Sequence, residues 1–384
     1  MTGSKTLFIT PGCFDKGGIS RYSRYQIAAL RQIVGDENLR VYSLLGPDSK
    51  SFEEPINVHW HGTQATLGGR ALLVCRLIRD ALIWRPDVIH SAHVHLSPLV
   101  ALLKRLSGAR TVLNVYGLEL WSGLSRLRTA AMGDHDLVIS DCHATADVVV
   151  SREMHCRLPD VIWDCVDLDR YRPGSLDADL ATRYGLPEPG RHRLIMTLGR
   201  LSVGAEHKGF DRLIKAFASV LSHAPDARLV IAGEGDDRGR LMQIADQAGI
   251  ADFVYWTGAV HEADMPGLYR MADLFSLVSD VGFGRGEGIP LTPLEAMACG
   301  VPVVVGDEDG SREAVDGDRN GKVVSPRDPE QLVDAILTLL QGDQIALRKE
   351  ARAVAEERFG FDAFVTKHSE IYSALVKTEN ARKS

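Results

Sequence analysis

Short apolar runs recur along the chain, each followed by a longer stretch whose apolar residues return every three or four positions. In the first half they are TLFIT (6–10), VYSLL (41–45), PDVIHSAHVH (86–95), TVLNVY (111–116), DLVISD (136–141) and DVIWDCVD (160–167). In the second half they are RLIMTLGR (193–200), RLVIAGEG (228–235), FVYWTG (253–258), DLFSLV (273–278), PVVV (302–305) and VVSP (323–326). Runs of this length read as strands, and the amphipathic stretches between them, such as Arg70 to Trp84 and DRLIKAFASVLSHA (211–224), read as helices. Strand and helix in alternation predict parallel, doubly wound α/β domains. Between Tyr171 and Arg193 the pattern lapses into Pro, Gly and charge. The expected division is therefore a first Rossmann-like domain over 1–172, a linker over 173–192, a second such domain over 193–360 and a last helix over 361–384. Two such domains facing across a cleft would hold a ligand between them.

One stretch departs from plain alternation. From Ser279 to Val305 an apolar strand leads through a glycine-rich loop (Gly282, Gly284, Gly286, Gly288) into a helix and on to the strand PVVV. Thr292 suits an N-cap and Pro293 the first helical position, so the helix start would offer unpaired N–H groups to an anion. Glycines in the loop let the backbone approach a ligand closely. Glu287 and Glu295, with seven residues between them, bracket this start. A nucleotide-sugar could use both carboxylates for its hydroxyls; equally, Thr292-Pro-Leu-Glu295 has the pattern of a capping box, which would give Glu295 a structural use. Arg200 closes the first strand of this half and Lys208 begins its first helix, both at the carboxyl edge where ligands bind in open α/β sheets. With the helix start they make a diphosphate clamp, the alternative being two solvated surface cations.

Composition narrows the classes. A chain of 384 residues fits two ordinary domains. Lys and Arg number 44 against 51 Asp and Glu, a net charge of −7, and imply no nucleic-acid partner. The balance is uneven: Arg70 to Arg128 carries nine basic against three acidic residues. That is either a solvated helix face or a surface for anionic lipid or a pyrophosphate-bearing acceptor. Six cysteines (13, 75, 142, 156, 165, 299) form no C-x-x-C pair and read as free thiols in a reducing cytoplasm. MTGSKTLFIT is too short in apolar residues for a signal peptide, and no run approaches the roughly 18 residues of a membrane span. The expected location is cytoplasmic, with the inner membrane face as a place of contact.

In the first half, Gly17-Gly18 falls at a strand-to-helix turn, a ligand-binding position in such sheets. His90, His93 and His95 end a strand, but their spacing does not converge three imidazoles and no H-e-x-x-H or Cys/His grouping joins them. We therefore expect no metal, and histidines lining a cleft.

The motifs GRL (199–201), KGFDRLIKAF (208–217), GEGDDR (233–238), LYRMADLF (268–275) and above all EGIPLTPLEAMACGVPVVV (287–305) resemble glycosyltransferase family 4. GGISRY (17–22) and PDVIH (86–90) extend the likeness over nearly the whole chain. The resemblance implies the GT-B fold and a retaining, metal-independent transfer from a nucleotide-sugar, with no cofactor. By position, it implies that Glu295 binds the ribose and that Glu287, with the backbone of Gly288, Ile289, Pro290, Leu291 and Thr292, holds sugar and diphosphate. Gly199, Arg200 and Lys208 would hold the diphosphate, the Gly17-Gly18 loop would close over the phosphates or admit the acceptor, and the helix from Phe361 would return to the first domain. In one place the chain departs from the pattern. Family members carry His-Gly-x-Asp/Glu where this chain has Tyr116-Gly-Leu-Glu119, and a tyrosine is a poor base at neutral pH. His93 or His95 is then the expected source of an imidazole, with Glu119 beside it. The functional expectation is transfer of a hexose-type sugar from a UDP- or GDP-linked donor to a glycan or lipid-linked acceptor. The alternatives are a silent nucleotide-sugar binder, in which Tyr116 marks decay, and another enzyme of similar architecture, an epimerase or a phosphorylase.

Overall fold

The structure, a computed structural model, describes residues 3–15, 17–47, 57–60, 62, 66–282 and 286–383, without the side chains of 118 and 376–383. It divides into two compact units, Met1–Cys165 with Phe361–Ser384, and Val166–Gly360.

The first unit holds six strands: β1 (Thr6–Thr10), β2 (Leu39–Ser43), β3 (Val88–Ser91), β4 (Arg110–Val115), β5 (Leu137–Ser140) and β6 (Asp160–Val161). All are parallel, in the order β2-β1-β3-β4-β5-β6. The second unit holds β7 (Arg193–Leu198), β8 (Ala227–Ala232), β9 (Val254–Gly258), β10 (Leu274–Leu277), β11 (Val303–Gly306) and β12 (Gly321–Val324), again parallel, in the order β12-β11-β10-β7-β8-β9. β1, β3, β10 and β11 are buried along their whole length. Burial on both faces explains why these strands read as unbroken apolar runs rather than alternating ones.

In both units the order reverses beside the first strand. The reversals lie between β1 and β3 and between β7 and β10. At such points neighbouring connections leave on opposite faces of the sheet and open a crevice at the carboxyl edge.

The division falls at Val166, inside the stretch expected to end the first domain. Val166 N donates to Phe359 O, Arg352 donates to the carbonyls of Leu168 and Tyr171, and the Tyr171 ring packs edge-on to Tyr269. Backbone and ring contacts thus commit residues 166–171 to the second unit. The expected linker contains a helix, Ala178–Arg183, capped by Asp177 and burying Leu180 and Ala181.

The last helix, Phe361–Lys383, belongs to the first unit, where Phe364, Tyr372 and Leu375 join a core with Tyr22, Ile27 and Leu30. Beneath them runs a buried polar network. His368 Nδ1 meets the carbonyl of Phe364 at 2.9 Å, so it carries the proton and Nε2 accepts from Gln26 Nε2 at 3.1 Å. Gln26 also donates to Asn114 Oδ1 at 3.1 Å, and His90 lies between Asn114 Oδ1 (2.5 Å) and Tyr372 OH (2.7 Å). Burial of a large apolar side chain contributes about 1.5–3 kcal/mol and a hydrogen bond about 1 kcal/mol net. The three apolar anchors therefore hold the helix, and the network fixes its register.

Candidate functional site

At the carboxyl edge of the second sheet the strand ends are packed backbone to backbone. Gly199 N donates to Ala232 O and Leu201 N to Glu234 O, carrying the β7 and β8 ends forward together. Gly233, at φ +129°, leaves no room for a side chain: an added Cβ would overlap the carbonyl oxygen of Gly199. Gly233→Ala is accordingly expected to destabilise the chain by more than about 2 kcal/mol, read as a lower urea midpoint. An unchanged midpoint would contradict this packing.

After β7 the chain makes a tight turn over Val203–Lys208, closed by Gly209 in the left-handed region at φ +74° and followed by the helix Phe210–His223. Arg212 on that helix reaches back across the reversal, donating to Asp280 Oδ2 (2.8 Å), Val278 O (2.9 Å) and His207 O (3.1 Å). Asp280 N also donates to His207 O at 2.9 Å. The loops that leave β7 and β10 are thereby clamped together.

Glu287 stands on this platform. Its N–H donates to Asp309 Oδ2 at 2.9 Å and its carbonyl accepts from Gly310 N at 3.2 Å. Asp309, fully buried, also caps the turn Gly310–Ala314 through Ser311 N. Two donors converge on one carboxylate oxygen, Oε1: Lys208 Nζ at 2.5 Å and His207 Nε2 at 3.0 Å. Burial alone would raise the Glu287 pKa, but Lys208 and His207 outweigh it and hold it at about 2. Glu287 is thus an anion at any pH the protein experiences, and among the described residues Oε2 takes no hydrogen bond. Arg200 is exposed, with no hydrogen bond or ion pair among the described residues. The two cations read together from the sequence therefore differ: Arg200 has no partner among the described residues, and Lys208 is already paired.

The helix after the glycine loop spans Leu291–Ala298 and begins two residues earlier than expected, with Pro290 as its N-cap and no side-chain cap. Thr292 and Pro293 are its second and third residues. Two prolines among the first four positions leave two N–H groups, Leu291 and Thr292, without intrahelical acceptors, instead of the usual four. The capping-box reading of Glu295 fails with this shift. Glu295 is 1% exposed and accepts from Tyr269 OH at 2.8 Å. The two carboxylates differ in exposure: the Glu287 side chain keeps 19% of its surface exposed, and Glu295 is buried. Gly288 is half-buried and Ile289 and Pro290 are buried, fixing the approach to the helix, while Gly284 lies outside the described residues.

In the first unit the corresponding edge carries Gly17, Gly18, His93, Tyr116 and Glu119. Gly17 is the N-cap of the helix Gly18–Val34, and a Cβ on Gly18 would meet nothing within 4 Å, so that helix start is open. Arg24 pins the loop before it by donating to the carbonyls of Cys13 and Asp15. Tyr116 follows β4, and its N–H donates to Glu119 Oε1 at 3.1 Å. His93 Nδ1 accepts from His95 N at 3.2 Å, which leaves Nε2 to face Glu119 Oε2 at 3.7 Å. Burial pushes Glu119 up to about 8, with Asp141 adding to it and the Tyr116 N–H opposing it. Burial and the nearby His95 and Arg128 hold His93 near 4. At neutral pH this is a contact between two neutral groups, not an ion pair. The Tyr116 ring lies 6.3 Å from that of His93, and its buried hydroxyl has no hydrogen-bond partner among the described residues. Its pKa is pushed well above the usual tyrosine value by burial and by Glu119, Asp141 and Asp164, so it is no base. His90 lies apart in the buried network, whereas the exposed His95 ring lies 4.6 Å from that of His93, and no group of three potential metal ligands occurs among the described residues.

Sequence reasoning missed His207, Arg212, Asp280 and Asp309. Asp309 carried a signal, since an Asp two residues before Ser311 in a D-G-S turn is a capping pattern. His207, next to Lys208, carried none: neighbouring residues point to one carboxylate only because of the turn that Gly209 closes.

The family described as glycosyl transferases group 1 matches residues 182–358. A GDP-mannose-dependent alpha-(1-6)-phosphatidylinositol monomannoside mannosyltransferase of Mycobacterium tuberculosis is 34% identical over 250 residues, covering 63% of this chain and 63% of that protein, less than two thirds of its length. The protein of that description from Mycolicibacterium smegmatis is 33% identical over 354 residues, 88% of each chain. Among solved structures, Anabaena HepE in complex with UDP superposes with a TM-score of 0.79 at 22% identity, over 96% of this chain and 100% of that one. The sucrose-phosphate synthase of Thermosynechococcus elongatus does so with a TM-score of 0.72 at 19% identity, over 97% and 100%. These likenesses show the fold, GT-B, with two Rossmann-like sheets. An identity of 33% sustained along 88% of both chains makes this protein a member of the group 1 glycosyltransferases.

Proposed function

We propose that the protein transfers a hexose-type sugar from a UDP- or GDP-linked donor to a glycan or lipid-linked acceptor, with retention at the anomeric carbon and without a metal ion. The observation that carries this reading is the second unit's crevice at the strand-order reversal. There the Leu291 and Thr292 amides, the exposed Arg200 and the Lys208 ammonium offer positive charge, and Glu287 offers an oxygen to a sugar hydroxyl. A diphosphate leaving group gathers negative charge as the sugar bond breaks, and these groups meet it without a cation from solution. The E-x7-E spacing supports transfer with retention through the family likeness. The mycobacterial relatives are named for GDP-mannose and a phosphatidylinositol mannoside, and the Anabaena neighbour holds UDP, which together support a nucleotide-sugar donor and a lipid-linked acceptor. No helix among the described residues is long and apolar enough to cross a membrane. Leu67 and Leu72 are exposed on the arginine-bearing helix Leu67–Arg79, and Leu82 and Ile83 on the turn Asp80–Trp84 that continues it, which supports contact with an anionic bilayer surface at its cytoplasmic face.

Tyr116, buried where the family carries a histidine, favours a second reading, a nucleotide-sugar binder without turnover. One experiment separates them: thermal melting against UDP, GDP, UDP-glucose, UDP-GlcNAc and GDP-mannose, followed by a hydrolysis and transfer assay with each donor that binds. Saturation to 100 times Kd adds about 2.7 kcal/mol, enough for a rise of several degrees. A donor that raises Tm and is consumed supports transfer, a donor that raises Tm and stays intact supports the binder, and no shift with any of the five overturns both.

A further inference from the structure

Lys208 cannot serve the two partners that the proposed reaction gives it. In this structure its ammonium is on Glu287 Oε1, and a donor diphosphate would compete for that charge. The ammonium sits on a flexible four-carbon stem and can turn from one anion to the other. Glu287 would then lose its main partner just as a second anion enters the crevice, and with it the position from which it meets the sugar.

His207 answers this difficulty. Its Nε2 shares Oε1 with Lys208 at 3.0 Å. A carboxylate only accepts, so Nε2 must carry the proton, and Nδ1, buried with no partner among the described residues, can then be the bare nitrogen. Unlike the lysine stem, the imidazole cannot follow a ligand outward. Its side chain is 10% exposed, and its own carbonyl is held by both Asp280 N and Arg212 Nη2. The backbone of Glu287 is fixed as well, by Asp309 and Gly310. A rigid donor and a rigid carboxylate thus flank one mobile cation.

We propose that His207 is a positioning residue that keeps Glu287 in place through Oε1 while Lys208 exchanges the carboxylate for the donor's diphosphate, leaving Oε2 for the sugar. This rests on the transfer reading above. The exchange moves no covalent bond: one hydrogen-bonded ion pair is replaced by another.

The test compares His207→Ala and His207→Gln with wild type in kcat, donor KM and the affinity for UDP and GDP by calorimetry, with melting curves to establish folding. His207→Ala is expected to lower kcat about 10–100-fold while donor KM and diphosphate Kd stay within about threefold. The glutamine amide can donate from nearly the position of Nε2, so His207→Gln should restore most of the loss. An unchanged kcat in the folded alanine variant, a diphosphate Kd that weakens in step with kcat, or a glutamine variant as slow as alanine would each overturn the proposal. A crystal structure of the wild type with the tighter of the two diphosphates decides independently of turnover. Lys208 on phosphate with the His207–Glu287 bond retained supports the exchange, and Lys208 still on Glu287 overturns it. Should the wild type bind diphosphate but consume no sugar nucleotide, the transfer reading falls and this complex alone decides the exchange.

Discussion

Lys208→Ala is expected to lower kcat/KM for the sugar donor by about 10²–10³-fold, with much of the loss in KM. The variant deletes a positive charge that meets the diphosphate and leaves the Glu287 anion, now uncompensated by an ammonium, facing another anion. The companion variant should behave in the opposite way. Glu287→Gln frees Lys208 from its partner, so donor KM and the Kd for nucleoside diphosphate should stay level or fall, while kcat drops about 10²-fold because the sugar loses a charged acceptor. Steady-state kinetics on the donor identified by melting measure both, and calorimetry with UDP or GDP separates binding from chemistry. If both variants raised KM equally, the ion pair would be structural and the crevice would not be the diphosphate site.

The second large effect is on stability, and it falls on the first unit. Burial, the leading cause in each case, holds four of its histidines far below the usual value: His90 and His135 at about 3, His93 and His368 at about 4. The folded state therefore refuses protons that the unfolded chain accepts below about pH 6.5. Stability from these groups is complete above that pH and is lost as pH falls towards the folded values. Glu119 works the other way: its folded pKa of about 8 lies above the unfolded one, so between about pH 8 and 4.5 the folded state holds a proton that the unfolded chain lacks. Four protons gained on unfolding against one lost leave a net three, or on the order of 4 kcal/mol per pH unit near pH 5. Urea midpoints followed by tryptophan fluorescence should fall steeply from pH 6.5 to 4.5. Trp60, Trp84, Trp121 and Trp163 lie in the first unit and Trp256 alone in the second, so the signal reports mainly the first. His368→Gln, which keeps a donor and an acceptor but cannot titrate, should remove about 1.4 kcal/mol per pH unit from that slope. A midpoint independent of pH over this range would mean that these histidines are solvated.

What the order of residues determined by itself was the set of strands, their parallel arrangement, and the glycine loop leading to a helix start. Those follow from local rules: TLFIT and PVVV can only be strands buried on both faces, and a proline near a helix start needs no tertiary partner. The family likeness was also legible, because it sits in contiguous stretches such as Glu287 to Val305. Tertiary structure alone decided how the charges pair. Lys208 and Glu287 are 79 positions apart, and nothing in either stretch announces that the cation is spent on the carboxylate. His207 joins them because Gly209 adopts a left-handed turn and Arg212 clamps two loops from strands adjacent only in the folded sheet. Glu295 read as a cap from spacing, and that reading gave way only once the helix began at Leu291 and Tyr269, from another helix, was bonded to its carboxylate. Spacing along a chain fixes which residues share an element; which charge neutralises which is set by distances across a core, where burial makes every unpaired group costly.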